Sequence, residues 1–281
     1  MKVLFLILNY KTYQETIKLV EKLYDEGLNN YYVLIVDNAS PNDSYSEIYS
    51  AVGSLEKVEV IRSPENGGFA KGNNYGLRYA KKYNPQYVCI INNDVLFNLK
   101  TIDNLIKWYE KLSTAAFIAP RQILPNGADA PFNNLDVPTI WKDLYSYFPF
   151  KKKFIDYKDN CGIQGVHEVG LIPGAFIFAE YAKFDELGFF DESTFLFCEE
   201  RIIAKRAELA GFKSYIVTGD TYIHNHSTTI NSEASKKKQR RLILEGRCIY
   251  YEKFSRFPFL CKVLLHIAFN LKEMGYLLIR K

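Results

Sequence analysis

The sequence predicts an α/β fold, a mostly parallel sheet flanked by helices, with an α-helical extension at its C-terminus. Three observations predict it. Residues 3–8, 32–36 and 87–91 are short apolar runs with almost no polar interruption, and such runs signal strands buried on both faces, as in a parallel sheet. Helical periodicity separates them, giving a βαβαβαβ order with short connections. The runs also end abruptly in polar residues, at Asn9-Tyr10, at Asp37-Asn38 and at Asn92-Asn93-Asp94. In a parallel sheet these ends share one edge, where an open α/β sheet holds its ligand.

Each element has its own local reason. After residues 3–8, Thr12 and Glu15 carry the spacing of a capping box, and Ile17, Val20, Leu23 and Tyr24 recur at helical spacing up to Gly27. Residues 58–61 form a third strand. The stretch Asn66-Gly67-Gly68-Phe69-Ala70-Lys71-Gly72-Asn73-Asn74-Tyr75-Gly76 opens the helix before residues 87–91, and 102–112 is a further helix. From about 130 to 165 the pattern degrades. Pro131, Pro138 and Pro149 interrupt it, and Phe132, Trp141, Tyr145, Tyr147, Phe148 and Phe150 crowd in. Long loops on a rigid scaffold often carry substrate contacts; a surface subdomain with its own aromatic cluster is the alternative.

Regularity returns at residues 170–178. A helix containing Ala204, Ala207 and Leu209 ends at Gly211, and 214–217 is a strand leading to His224-Asn225-His226. Residues 233–255 read as a polar, basic helix. Residues 257–281 are densely apolar but broken by Lys262, His266, Lys272, Glu273 and Arg280, too polar to span a bilayer and suited to an interfacial helix. The division expected is a catalytic unit over 1–230 and an extension over 231–281.

A net charge of +4 does not indicate a nucleic-acid binder. The charge is uneven, however: Lys236, Lys237, Lys238, Arg240 and Arg241 lie almost together. Five cysteines without CxxC spacing argue against a zinc knuckle or a disulfide framework and fit a reducing compartment. The N-terminal apolar run is too short for a signal segment and lacks a cleavage site. No GxGxxG follows the first strand and no P-loop occurs anywhere, so the crevice is not a dinucleotide or P-loop site.

Three polar residues in a row at the end of a buried strand point to a ligand. A hard divalent cation takes oxygen ligands and sits on one or two carboxylates plus substrate phosphates. Asp94 is thus a candidate metal ligand, with Asn92 and Asn93 as hydrogen-bonding neighbours. An ordinary strand-to-loop turn is the alternative, since Asn and Asp are common turn formers.

Over residues 6 to about 229 the chain resembles the inverting glycosyltransferases of family 2, whose nucleotide-binding fold is called GT-A. Asn9-Tyr10 resembles the family's first nucleotide contact, and Asp37 the aspartate that holds the base. The stretch Asn66–Gly76 is similar to a signature of bacterial rhamnosyltransferase-like members. From it, Asn66, Gly68, Lys71, Asn73 and Asn74 are candidate donor contacts, as are Asn92 and Asn93. Asn92-Asn93-Asp94 stands where the family has its DXD-type metal motif. Gly174-Ala175 and Gly188-Phe189-Phe190-Asp191-Glu192 match the acceptor-side segment, and Glu199-Glu200 stands where Glu-Asp is usual. Arg206 matches a following arginine. His224 matches a histidine that completes the metal and diphosphate site, with His226 the alternative ligand. The chain departs from the pattern at Asn92 and Ile202, where acidic residues are common, and at Glu200, which replaces the usual Asp and is one methylene longer. The QxxRW motif of processive synthases is absent, which implies one sugar per acceptor.

The resemblance implies a donor half over about 1–112 and an acceptor half with the base over 113–230. It also implies a Mn²⁺ or Mg²⁺ cofactor and a nucleotide-sugar donor: dTDP-rhamnose, UDP-galactose and UDP-glucose are open. The acceptor would be a lipid-linked saccharide of capsule or surface polysaccharide, met at the cytoplasmic face of a bacterial membrane. Inverting transfer needs a base for the acceptor hydroxyl and positive charge against the leaving diphosphate. Glu200 is expected as base, with Glu199 as its rival. The basic, apolar tail is expected to lie on the membrane surface; packing against the catalytic unit or a homo-oligomer contact is the alternative. A sugar nucleotidyltransferase would want a glycine-rich basic loop after strand one, where Asn9-Tyr10-Lys11-Thr12 stands. A non-catalytic binding module would not need Glu200.

Overall fold

The computed structural model of the chain describes residues 2–28, 30–130, 137–148, 163, 165–225 and 233–279. His226 and the insertion residues Pro131, Phe132, Pro149 and Phe150 lie outside the described residues. The N-terminal half runs β1 (Val3–Asn9), α1 (Tyr13–Asp25), β2 (Tyr31–Asp37), α2 (Ser44–Val52), β3 (Val58–Arg62), α3 (Gly68–Ala80), β4 (Tyr87–Asn92), β5 (Val95–Leu96) and α4 (Lys100–Lys111). Then follow β6 (Ala115–Ile123), α5 (Ile140–Tyr145), β7 (Val166–Val169), β8 (Phe176–Glu180), α6 (Tyr181–Glu186), α7 (Glu199–Leu209), β9 (Lys213–His224), α8 (Glu233–Phe254) and α9 (Pro258–Ile279).

Among the described residues one sheet has the order β3-β2-β1-β4-β8-β6-β9-β5, with β7 also on β9. The first four strands are parallel. Their register sets Asn9 opposite Asp37 and Leu8 opposite Asn92, so the polar ends foreseen from sequence share one edge. Beyond β4 the sheet is mixed: β8 joins antiparallel, and β6 and β9 run parallel to each other. Alternate residues feed two cores on opposite faces. Phe5 and Ile7 enter one with Ile35 and Ile91, and Leu4 and Leu6 enter the other with Leu34 and Ile90. Complete burial of each such side chain contributes about 1.5–3 kcal/mol.

The glycines of the 66–76 stretch have a packing reason. Gly72 and Gly76, four apart and so on one face of α3, press it onto the sheet. A Cβ at Gly76 would stand 2.5 Å from Leu6 Cδ1 and 2.8 Å from Val36 Cγ2. One local expectation is corrected. Thr12 makes no side-chain cap on α1; its hydroxyl instead accepts from Asn93 Nδ2 at 2.8 Å. The amide at the end of β4 outcompetes the helix's own first turn.

The strand expected at 214–217 is longer. A register shift between β6 and β9 at Pro120/Arg121 lets β9 run on to His224, which pairs with Val95 of β5. The tail forms the two expected helices, and one face of them is core rather than surface. Leu244, Tyr250, Tyr251, Cys261, Leu265 and Phe269 pack with Ile202 of α7 and Tyr147 of the insertion. The described part of the insertion therefore packs on the tail instead of standing apart. No described helix is long and apolar enough to cross a membrane.

Candidate active site

The strand ends are wired to one another. Asn9 donates from Nδ2 to Asp37 Oδ2 at 2.9 Å and accepts from Thr16 Oγ1 at 2.9 Å. Asp37 Oδ1 accepts from the Ser40 amide at 3.0 Å. Asn93 donates to the hydroxyls of Thr12 and Thr16 at 2.8 and 2.9 Å. Asn9 and Asp37 are fully buried, so both lie beneath the cleft and hold its floor. The cleft itself is lined by Tyr10, Thr12, Asn38, Asn66, Gly68, Phe69, Asn92, Asn93, Phe195 and Leu196. Two left-handed non-glycine residues, Lys11 (φ 69°) and Ala39 (φ 52°), turn the chain at its rim; such conformations gather at functional sites.

Asp94 and His224 meet beside this floor, with His224 Nε2 3.0 Å from Asp94 Oδ1 and 3.4 Å from Asn92 Nδ2. The Asn225 amide donates to the Asp94 carbonyl at 2.9 Å and ties the two strand ends together. Among the described residues no cluster of three His, Cys, Asp or Glu side chains forms a complete metal cage. One carboxylate and one imidazole, both largely buried, are a donor set that would hold Mn²⁺ or Mg²⁺, leaving room for water and substrate phosphate oxygens as further ligands.

The turn into α3 brings some expected residues to the cleft and directs others elsewhere. Asn66 Oδ1 accepts from Asn38 Nδ2 at 3.0 Å and from the Gly68 amide at 3.1 Å. Gly68 has φ +85°, and a Cβ there would stand 1.9 Å from the Phe195 carbonyl oxygen. Lys71 pairs with Glu65, and Asn73 bonds the Phe69 carbonyl of its own helix at 2.9 Å. Asn74 donates to the Phe190 carbonyl and to Glu192, and accepts from the Phe190 amide at 3.1 Å. It is a clamp between α3 and the segment 188–192, and it does not line the cleft.

Arg206 is held by the same 188–192 segment. Its guanidinium reaches Asp191 and donates to the Phe189 carbonyl at 3.2 Å. Asp191 also meets Lys253 of α8 at 3.1 Å. Burial alone would raise the Asp191 carboxyl; bonds from Ser193 and Lys253 hold it below its usual value.

Glu199 and Glu200 open α7 directly after Phe197 and Cys198, two successive residues with φ 71°. Glu199 is buried, and its Oε2 has no hydrogen-bond partner. Burial, and then the neighbouring Glu200 charge, push its pKa up. Burial raises Glu200 as well, against partial relief from backbone amides and Arg201. A carboxylate held above its usual value is suited to taking a proton near neutral pH. Sequence reasoning missed Thr12, Asn38 and Phe195 at the cleft. Only the Asp37–Ser40 run hinted at Asn38, and nothing local marks Thr12 or Phe195 as cleft residues, because partners 28 to 127 residues away bring them there.

A parallel half-sheet with polar strand ends, coupled to a mixed half that carries paired acids, is the GT-A architecture of nucleotide-sugar enzymes. The sequence pattern described as glycosyl transferase family 2 matches residues 5–166, more than half of the chain. The chain belongs to this family. A curated relative is the low-salt glycan biosynthesis hexosyltransferase Agl10 of Haloferax volcanii. It is 24% identical over 207 residues, 72% of this chain and 60% of that protein. The chain thus spans about 60% of that relative's length. Among solved structures, the mannosyltransferase PcManGT from Pyrobaculum calidifontis, in complex with GDP-Man and Mn²⁺, superimposes with a TM-score of 0.63 at 14% identity, covering 94% of this chain and 68% of that one. The structure of S. aureus TarS 1-349 with UDP-GlcNAc gives 0.55 at 14% identity, covering 92% and 72%. GalNAc-T7 with UDP, GalNAc and Mn²⁺ gives 0.56 at 14% identity, covering 95% and 55%. At these identities the likeness is one of fold.

Proposed function

We propose that the protein is an inverting glycosyltransferase that moves one sugar from a nucleotide-sugar to a lipid-linked saccharide of surface polysaccharide. The observation that carries this reading is the Asp94–His224 pair beside a cleft whose far wall, Phe195-Leu196, leads straight into Glu199-Glu200. Tyr10, Asn38 and Asn66 line the cleft for the nucleoside, and Asn9 and Asp37 set its floor from below. The acceptor oxygen bonds to the anomeric carbon as the bond from that carbon to the diphosphate oxygen breaks. The electron pair leaves with the nucleoside diphosphate, and the hydroxyl proton passes to Glu200. Mn²⁺ or Mg²⁺, held by Asp94 and His224, would supply positive charge against the departing diphosphate.

The test is incubation of the purified protein with dTDP-rhamnose, UDP-galactose and UDP-glucose, a divalent cation and a saccharide acceptor. Transfer with inverted anomeric configuration is expected. In a parallel incubation with nucleoside triphosphates and sugar 1-phosphates, release of pyrophosphate would show a nucleotidyltransferase, and binding of nucleotide-sugar without turnover would show a binding module.

A membrane-surface location is part of the same proposal. The tail's inner face is buried, yet α9 turns a second apolar face outward: Phe259 is 79% exposed, Ile267 52% and Met274 52%, with Leu260, Val263 and Leu271 along the same stripe. Exposed Arg256 and Lys262 flank it. An apolar stripe edged by cations suits the interface of an anionic leaflet, where a lipid-linked acceptor resides. Flotation with anionic liposomes tests this. The native chain should float, and the Phe259→Glu/Ile267→Glu double variant should stay at the bottom. Equal flotation would remove α9 from membrane binding.

A further inference from the structure

The tail does a second thing that its amphipathic pattern does not announce. The turn 195–198, which delivers Glu199 and Glu200 to α7, is gripped from two sides by glycines that leave no room for a side chain. On the donor side, Gly68 lies against the Phe195 carbonyl, and the Phe69 amide donates to that same oxygen at 2.8 Å. On the other side stands Gly246 of α8. A Cβ there would fall 2.8 Å from the Phe197 carbonyl oxygen, 2.8 Å from Cys198 Cβ and 3.0 Å from Cys198 Sγ. Between the two glycines, Phe197 and Cys198 are both held at φ 71°, a conformation that L residues keep only when their surroundings enforce it.

The grip is reinforced around α7. Asp143 of α5 takes both arms of Arg201, at 2.8 and 2.6 Å. It also accepts from Tyr251 of α8 at 2.8 Å and lies 3.3 Å from Arg247 of α8. Arg201 is the residue after Glu200, so α8 holds the acidic pair both through the turn before it and through the ion network after it.

We infer that α8 is a working part of the catalytic site, and that Gly246 is a positioning residue that holds the 197–198 turn so that the acidic pair faces the acceptor. The inference rests on the reading that this pair supplies the base. It separates the tail's two faces: α9 turns an apolar stripe outward, and α8 sets the base.

Gly246→Ala is the test. Its methyl group must displace the turn, and a displacement of about 1 Å at the reacting groups costs on the order of 10²-fold, so kcat should fall by about that factor with donor KM held within about twofold. A packing defect alone would lower thermal stability and leave kcat of the folded fraction intact. Amide exchange over residues 199–203 should quicken in the same variant, and this measurement does not depend on turnover. Wild-type protein that transfers no sugar from any donor would defeat the glycosyltransferase reading, while the exchange arm would still read the brace. If Gly246→Ala does not fold, Cys198→Gly removes the side chain that Gly246 presses on and is measured the same way. A folded variant with unchanged kcat, or unchanged exchange in α7, overturns the inference.

Discussion

The two sides of the cleft, the strand ends proposed for the donor and the acidic turn proposed for the acceptor, are built by different means. On the donor side, Asn9, Asp37 and Asn92 close three adjacent parallel strands, and the register of the sheet alone brings them together. On the other side, Glu199 and Glu200 rest on a strained turn braced by α3 and α8 and on an ion network drawn from α5, α7 and α8. The floor of the cleft is thus a consequence of the scaffold, whereas the placement of the acidic pair depends on packing between segments far apart in the chain. Damage to the donor side should therefore act locally on chemistry, and damage to the acceptor side should act on chemistry and stability together.

The largest effect expected on this contrast is at Asp94. Asp94→Ala and Asp94→Asn should each lower transfer by roughly 10³-fold or more, the upper range for removing one electrostatic stabiliser, with no change in the unfolding midpoint beyond a few degrees. Chelator should remove wild-type activity in the same way. Full turnover in excess chelator would sink the metal assignment.

Asp143→Ala should cost about 3–5 kcal/mol of stability, because Arg201 and Arg247 would be left buried without their counter-charge. Burial by itself would raise the Asp143 carboxyl, but Arg201 and Arg247 hold it below its usual value. A carboxyl lowered in the folded state stabilises above its unfolded pKa, and that stability is lost as pH falls through the folded value. Urea unfolding of wild type and variant should therefore converge in acid. A gap that persists at pH 2 would assign the loss to packing.

Glu200→Gln should lower kcat by about 10²-fold, the usual scale for a general base, while donor affinity measured by calorimetry stays unchanged. In the wild type, the raised carboxylate moves the acid limb of the kcat profile upward from the ordinary glutamate range, since the base must be unprotonated to accept the hydroxyl proton. A dead Glu199→Gln beside an active Glu200→Gln would reverse the assignment within the pair.

The smallest effect has the opposite sign. Glu199 is buried with one oxygen unpartnered and its pKa raised, so it favours the folded state only in its protonated form. That contribution is full below the ordinary glutamate pKa and is lost as pH rises through the folded value. Glu199→Gln, neutral and of the same shape, should stabilise by about 1.4 kcal/mol or more at pH 8, the worth of one pKa unit. The gain should shrink toward pH 4, and thermal melts at the two pH values check it.

Beyond what the family resemblance implied for His224 and Glu199-Glu200, the sequence by itself determined the parallel half-sheet, the helices between its strands, and the edge where polar residues, Asp94 among them, converge. These features follow from period-two and period-3.6 patterning and from the chemistry of strand ends, which neighbouring residues set. Only the tertiary structure decided that Thr12 serves Asn93 instead of its own helix, and that Asn74 and Arg206 hold the acceptor segment together. It alone decided that the tail is core on one face, and that Gly246 stands where Cys198 needs it. Each of these rests on atoms meeting across 15 to 122 residues of chain. A residue's local pattern gives its propensity and the face it presents, but the partner that meets that face is chosen by close packing of the whole.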